Sequence, residues 1–111
     1  MAKKRKTLPK EIGILLEAGD IEALKEQFLR CDPNAITNKY GSNIFYLSPL
    51  PREFAFWAKE QGADVNFVNY YEKTPIFNHA SSWKGDVQLL IDLGAKVDVV
   101  DHNGTTPLHL A

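Results

Sequence analysis

Few residues of this chain have the types and spacing that chemistry requires. A group of carboxylate and imidazole side chains near the C-terminal end offers potential metal ligands: Asp98, Asp101, His102 and His109. Cys31 could act as a nucleophile if a distant histidine folded beside it. The sequence has neither a Gly-x-Ser-x-Gly elbow nor a glycine-rich phosphate loop. We interpret the metal-ligand group and Cys31 as structural residues, and we predict no catalytic residue, no bound metal, no cofactor and no small-molecule substrate.

The charge balance leaves no chain-wide attraction to nucleic acid or to anionic membranes. The 111 residues include 13 Lys and Arg against 14 Asp and Glu, which gives a formal net charge of −1. The longest apolar runs are far shorter than the roughly 20 residues that a transmembrane helix needs. A single cysteine cannot form an internal disulfide. We expect a cytoplasmic protein with no membrane and no nucleic-acid partner.

The beginning of the chain is strongly basic. Five of the 13 cations lie within the first ten residues: Lys3, Lys4, Arg5, Lys6 and Lys10. A short basic run can be a nuclear address or a nucleic-acid arm, and the simpler interpretation is a solvated terminus. We predict a flexible basic tail over residues 1–7, followed by an acidic folded body.

The elements that must position these residues follow from an internal repeat of 32 residues. The phrase at residues 62–66, Gly-Ala-Asp-Val-Asn, returns at residues 94–98 as Gly-Ala-Lys-Val-Asp, and residues 31–34 are a weaker earlier copy. A second phrase, Thr-Pro-Ile-Phe at residues 74–77, returns as Thr-Pro-Leu-His at residues 106–109. Such repetition predicts stacked units that share a core with their neighbours.

Each repeat is expected to form two helices. The Thr-Pro pairs mark helix starts, because the hydroxyl can accept from a free backbone N–H and proline has none to lose. Second helices are predicted over residues 51–61 and about 84–93, and a glycine that can adopt positive φ follows each of them. In the first unit, helices are predicted over residues 9–18 and after the N-cap Asp20.

The last eleven residues carry the most specific pattern. Residues 101–111, D-H-N-G-T-T-P-L-H-L-A, resemble the opening of an ankyrin repeat, D-x-x-G-x-T-P-L-H-x-A. The resemblance extends back through residues 66–98 and 34–66 to an atypical N-terminal cap. It implies an all-α ankyrin-repeat solenoid of stacked helix-turn-helix units with projecting loops or short β-hairpins. The expected domain spans residues 8–111, with units at about 8–34, 35–66, 67–98 and 99–111, the last incomplete.

Several residues depart from the family pattern. Phe77 stands where the last unit has His109, Glu72 stands where it has a glycine, and His79 takes the place of a small alanine. If the turn at Glu72 needs positive φ, a non-glycine residue there costs about 1 kcal/mol. The last unit stops in the first turn of its helix, so we expect the 111 residues to be a fragment of a longer array.

Aromatic residues are expected at the tips of the projecting loops. Tyr70 and Tyr71 fall at the tip between the second and third units. Lys39-Tyr40 and His102 take the equivalent places one unit earlier and one unit later. Tyrosine is common in binding hot spots, although Tyr70 or Tyr71 could instead fold back over the helices. By the resemblance, three polar residues line the concave face beside the tips: Asn78, Ser81 and Ser82.

These observations predict a protein–protein interaction module without catalytic activity. A partner would dock on the loop tips and the inner helices, and the acidic body favours a partner with a basic patch. Three alternatives stay open. They are a stoichiometric inhibitor or immunity-type protein that blocks another enzyme, a nucleic-acid-associated protein that uses the basic run, and the targeting part of a longer enzyme. A fold shared by many partners does not name the partner.

Overall fold

Five α-helices, one 3-10 helix and two short strands follow one another along the part of the chain that the structure describes. This computed structural model describes residues 4–37, 39–82 and 85–97. In chain order the elements are β1 (Arg5–Thr7), α1 (Glu11–Ala18), α2 (Ile21–Leu29), β2 (Cys31–Ile36), the 3-10 helix (Ile44–Tyr46), α3 (Arg52–Glu60), α4 (Pro75–Ser81) and α5 (Val87–Asp92).

The two strands form a parallel sheet near the N-terminal end. Arg5 lies opposite Cys31 and Thr7 opposite Ile36, with an irregularity between the two pairs. The pair α1–α2 connects the strands, because parallel strands need a long crossover. The prediction of an all-α ankyrin-repeat solenoid is therefore wrong, and the described residues form a mixed α/β fold. Residues 5–7, expected to belong to a flexible tail, are part of this sheet.

Side-chain caps start two of the helices. The carboxylate of Asp20 accepts a hydrogen bond from the backbone N–H of Ala23 at 3.2 Å, which confirms the predicted N-cap of α2. Asp86 does the same for α5 through the N–H of Leu89 at 3.0 Å. Thr74 precedes α4 as predicted, but its buried hydroxyl has no hydrogen-bond partner among the described residues. The proline at the first helical position therefore starts α4 without a side-chain cap.

The two copies of the phrase at residues 62–66 and 94–98 begin with the same kind of turn after a helix. Gly62 and Gly94 close α3 and α5 with φ of +108° and +98°, which confirms the positive φ predicted for both. The Asn34 side-chain oxygen accepts from the N–H of Asp64 at 2.8 Å. Thirty-two residues later, Asn66 accepts from the N–H of Lys96 at 2.9 Å. Each turn is thus tied by an amide side chain that lies 30 residues earlier in the chain.

One continuous apolar core runs through the helices. Phe28 of α2 meets Phe54 of α3 edge to face, with ring centroids 5.7 Å apart. Phe77, which stands where the last unit has His109, is buried in the same core, so apolar packing fills this position. Further members of the core come from every α-helix: Ile12, Leu16, Leu24, Ala55, Ala58, Ile76, Leu89 and Leu90. Within the described ranges, no helix combines the length and apolar character needed to cross a membrane.

Candidate functional site

Two of the predicted loop tips meet in the folded protein. The N–H of Tyr70 donates to the carbonyl oxygen of Tyr40 at 3.0 Å. The rings of Tyr40 and Tyr71 lie 5.8 Å apart, and the Lys39 ammonium lies 5.2 Å from the centre of the Tyr40 ring. Residues 30 positions apart in sequence are therefore neighbours. We call Lys39, Tyr40, Tyr70 and Tyr71 the tyrosine surface.

The rings of the tyrosine surface are open to solvent. Tyr70 is 64% exposed, Tyr71 50% and Tyr40 45%. The Tyr70 ring also rests against Gly41, where a Cβ atom would come within 2.5 Å of the ring. Gly41 itself has φ of +65°, which glycine adopts without strain. The structure thus favours exposed tyrosines over tyrosines folded back on the helices.

Asn69 holds the loop that presents Tyr70 and Tyr71. Its side-chain oxygen accepts from the N–H groups of Tyr71 at 2.9 Å and Lys73 at 3.1 Å. Its amide nitrogen donates to the Ser42 hydroxyl at 3.3 Å, which ties this loop to the one that carries Tyr40. The Asn69 side chain and its bond to Ser42 are buried, its bonds to Tyr71 and Lys73 are partly buried, and together they fix the turn. The same turn holds Glu72 at φ of +59°, the strained geometry expected there.

Tyr46 supports the same loop from beneath. Its buried hydroxyl contacts the carbonyl oxygens of Phe67 and Lys73, at the two ends of the turn. A phenol has one proton, so it donates to one carbonyl at a time. Burial raises the pKa of Tyr46, which keeps this proton in place. The loop is therefore fixed by the protein interior, whereas its tyrosines face outward.

Replacing Asn69 by alanine is expected to lower the free energy of unfolding by about 2 kcal/mol, because two partly buried N–H groups lose their acceptor. Urea denaturation followed by fluorescence measures the loss. Asn69→Asp is a second variant, since a carboxylate can accept from both N–H groups; it lacks the donor to Ser42 and adds a charge at a buried position. An Asn69→Ala variant as stable as the wild type would show that Asn69 does not stabilise the protein through these acceptor bonds.

The polar residues predicted on the inner helix lie on α4 and near its end. Ser81 donates its hydroxyl to the carbonyl oxygen of Phe77 at 3.0 Å, within its own helix. The Ser82 hydroxyl lies 3.3 Å from that of Ser48, and Asn78 is half-buried. The hydroxyls of Ser81 and Ser82 are thus engaged in contacts around α4. His102 lies outside the described residues.

His79 is the polar residue whose role the sequence pattern does not predict. It is buried, its Nδ1 accepts from the N–H of Asp86 at 2.9 Å, and its Nε2 lies 2.8 Å from the carbonyl oxygen of Phe45. Nδ1 acts as an acceptor and Nε2 faces a carbonyl, so the ring is neutral with its proton on Nε2. Burial lowers the pKa of His79. The residue bridges the 3-10 helix and the start of α5, a structural role.

Cys31 is the remaining nucleophile candidate among the residues that the structure describes. Burial raises the pKa of the Cys31 thiol, which therefore stays protonated and is a poor nucleophile. Among the residues that the structure describes, no three His, Cys, Asp or Glu side chains gather closely enough to hold a metal ion. The group of Asp98, Asp101, His102 and His109 falls outside these residues.

No protein-family model matches the chain, and no curated protein is similar to it. The resemblance to ankyrin repeats therefore stays a prediction made from the sequence. Any function assigned to the chain depends on the described surface and its chemistry.

Proposed function

We propose that the protein is a binding module that recognises a partner protein through the tyrosine surface. The observation that carries the proposal is the meeting of two loops at one exposed aromatic patch, where the rings of Tyr40 and Tyr71 lie 5.8 Å apart. Tyrosine provides large, amphipathic contact area and has few torsions to restrict on binding. An exposed cluster of such residues favours recognition of another protein.

The size of the exposed patch supports this proposal. A buried aromatic side chain covers roughly 150–250 Å², so three half-exposed tyrosines offer on the order of 300 Å². An apolar patch of this size is about as large as the largest on a typical soluble monomer, and such patches are often functional. Single exposed apolar residues need no such explanation. The patch is therefore best explained as a contact surface.

The rigidity of the loops is the second support. Asn69 and Tyr46 fix the turn from the buried side, and the N–H of Tyr70 ties it to the neighbouring loop. A surface that is already ordered loses less conformational entropy when the partner arrives. The same proposal places the protein in the cytoplasm, where the free, buried thiol of Cys31 suits a reducing compartment.

Replacing Tyr70 and Tyr71 together by alanine is expected to weaken partner binding at least about 30-fold, the effect of losing a hot spot worth 2 kcal/mol. The partner is first isolated by capture on the wild-type protein, and its affinity is then measured by calorimetry for each variant. Unfolding free energy should change little, since both side chains are half or more exposed.

Two control variants sharpen this test. Leu29→Ala removes a side chain that is 50% exposed at the end of α2, and its affinity should match the wild type. Replacing Tyr70 and Tyr71 by phenylalanine keeps the rings and removes only the hydroxyls, so most of the affinity should remain. Unchanged affinity in the double alanine variant would refute the tyrosine surface as the binding site.

A further inference from the structure

An apolar groove opens beside the tyrosine surface. It has a volume of about 450 Å³ and runs between the start of α1 and the loop that follows β2. Leu8, Ile12 and Leu47 supply apolar lining, and Lys39 and Tyr40 belong both to the groove and to the tyrosine surface. We call this feature the α1 groove. The groove extends the exposed aromatic patch into a concave site.

Backbone hydrogen bonds hold both walls of the α1 groove. On the α1 side, the N–H of Leu8 donates to the carbonyl oxygen of Ile36 at 3.0 Å, which anchors the chain just before the helix. On the loop side, the N–H of Thr37 donates a hydrogen bond to the carbonyl oxygen of Ser42 at 3.0 Å. The N–H of Gly41 donates to the carbonyl oxygen of Thr37 at 2.9 Å. These bonds close the loop that carries Lys39. The groove is therefore preformed.

The α1 groove has room for side chains from another molecule. Leu8 and Leu47 are half-buried, so an occupant of the groove would bury more of their apolar surface, which favours binding. A Cβ atom at Gly13, which lines the groove, would meet nothing within 4 Å. The volume lies within the roughly 300–1,000 Å³ that is typical of ligand sites.

The charge of the α1 groove is positive, although the chain as a whole is slightly negative. Lys10 and Lys39 line it, both are exposed, and none of the lining residues that the structure describes is a carboxylate. The groove also lies at the N-terminal end of α1, where the helix dipole favours negative groups. Local charge at this site therefore favours an acidic occupant, whereas the charge of the whole chain suggested a partner with a basic patch.

We propose that the α1 groove binds a short segment of the partner protein in which apolar side chains are flanked by aspartate or glutamate. The apolar side chains pack against Leu8 and Leu47, and the carboxylates pair with Lys10 and Lys39. This inference rests on the proposed function, because the groove and the tyrosine surface share residues. The tyrosine surface contacts the body of the partner, and the groove takes its acidic segment.

A peptide selection tests this chemistry and does not require the partner to be identified first. A random peptide library is displayed against the immobilised full chain, with counter-selection against the Gly13→Leu variant, which adds a large side chain at a position that lines the groove. The selected peptides should combine Leu or Phe with Asp or Glu. One peptide of this consensus is then labelled, and its affinity is measured by fluorescence anisotropy.

Variants of the groove give the expected changes in affinity for that peptide. Gly13→Leu should weaken binding at least about tenfold by filling the groove, and it should not unfold α1 because leucine favours helix over glycine. Gly13→Ala is the matched control and should stay within about twofold of the wild type, since it adds one methyl group. Lys10→Glu and Lys39→Glu should each weaken binding about fivefold, and less in high salt.

Several outcomes would overturn the inference. Selected peptides without an acidic bias, or peptide affinities unchanged by Gly13→Leu, would show that the α1 groove does not bind an apolar segment flanked by acidic residues. Binding of dodecanoate that Gly13→Leu blocks, with no peptide selected, would make the groove a lipid site instead. If Gly13→Leu leaves partner affinity intact while the Tyr70 and Tyr71 alanine variant loses it, the groove fails and the proposed function stands.

Discussion

Replacing Gly85 by alanine is expected to lower the free energy of unfolding by about 3 kcal/mol or more. The added Cβ would lie 2.6 Å from the Cα of His79 and closer still to its carbonyl oxygen. Both obstructing atoms belong to the backbone, so no side-chain rotation relieves the overlap. The two segments must move apart, and that movement also strains the hydrogen bond from the N–H of Asp86 to His79.

Gly13→Ala provides the comparison for this substitution. Gly13 lies inside α1, where a Cβ atom meets nothing within 4 Å, so alanine should stabilise the protein by about 0.5–1 kcal/mol. Urea midpoints of the wild type and the two variants measure both changes. The same substitution is therefore expected to act in opposite directions at two sites. A Gly85→Ala variant as stable as the wild type would contradict the close approach of residues 79 and 85.

His79→Ala is expected to destabilise the protein by about 3 kcal/mol at pH 7.5. It leaves a cavity and removes the partners of the Phe45 carbonyl oxygen and the Asp86 N–H. His79 also makes stability depend on pH. Burial holds its pKa in the folded protein below its ordinary value of 6.5, whereas the unfolded chain titrates at that value.

The sign of this pH dependence follows from proton binding. Below pH 6.5 His79 binds a proton in the unfolded chain but stays neutral in the folded protein until the pH is lower still, so acid favours unfolding. The contribution of neutral His79 to the free energy of unfolding is complete above pH 6.5. It declines as the pH falls towards the pKa of His79 in the folded protein, by at most about 1.4 kcal/mol per pH unit.

His79→Gln isolates this contribution because it keeps a polar amide but cannot titrate. The carboxylate of Asp86, which caps α5, is present in both proteins and so cancels in the comparison. Unfolding free energies measured from pH 5 to pH 8 should fall in acid more steeply for the wild type than for the variant. Identical curves would show that His79 is not held neutral by the fold.

The helices could be largely predicted because their signals are local. The expected helix at residues 51–61 corresponds to α3, and the expected N-cap Asp20 starts α2. A glycine after a helix predicts positive φ from its own geometry, as at Gly62 and Gly94. Such signals depend on a few adjacent residues, so tertiary packing changes them little.

The sheet could not be predicted because nothing local marks it. β1 is Arg-Lys-Thr, which has no apolar alternation, and β2 contains Asp32 and Pro33, which favour turns. The two strands pair across a separation of more than 20 residues. Pairing over such a distance depends on how α1 and α2 pack, and the sequence pattern does not record it.

Part of the candidate site could be predicted and part could not. The period of 32 residues places the loops of Tyr40 and Tyr70 in equivalent positions, so their proximity follows from the repeat. The α1 groove depends on β1, which fixes Leu8 beside the loop after β2, so it cannot be predicted without the sheet. The ankyrin pattern that the sequence resembles has alanine where this chain has His79, and that resemblance gives no sign of the bonds of His79 to two separate segments.

The pairing of β1 with β2 also has an electrostatic consequence. Arg5 and Lys6 belong to a strand anchored to the rest of the fold, so their charges keep a fixed position in the molecule's own frame. Charges on a loose tether would average over many directions, whereas anchored charges create a potential that rotates with the protein. An approaching molecule of opposite charge can therefore be turned into a preferred orientation before any side chains touch.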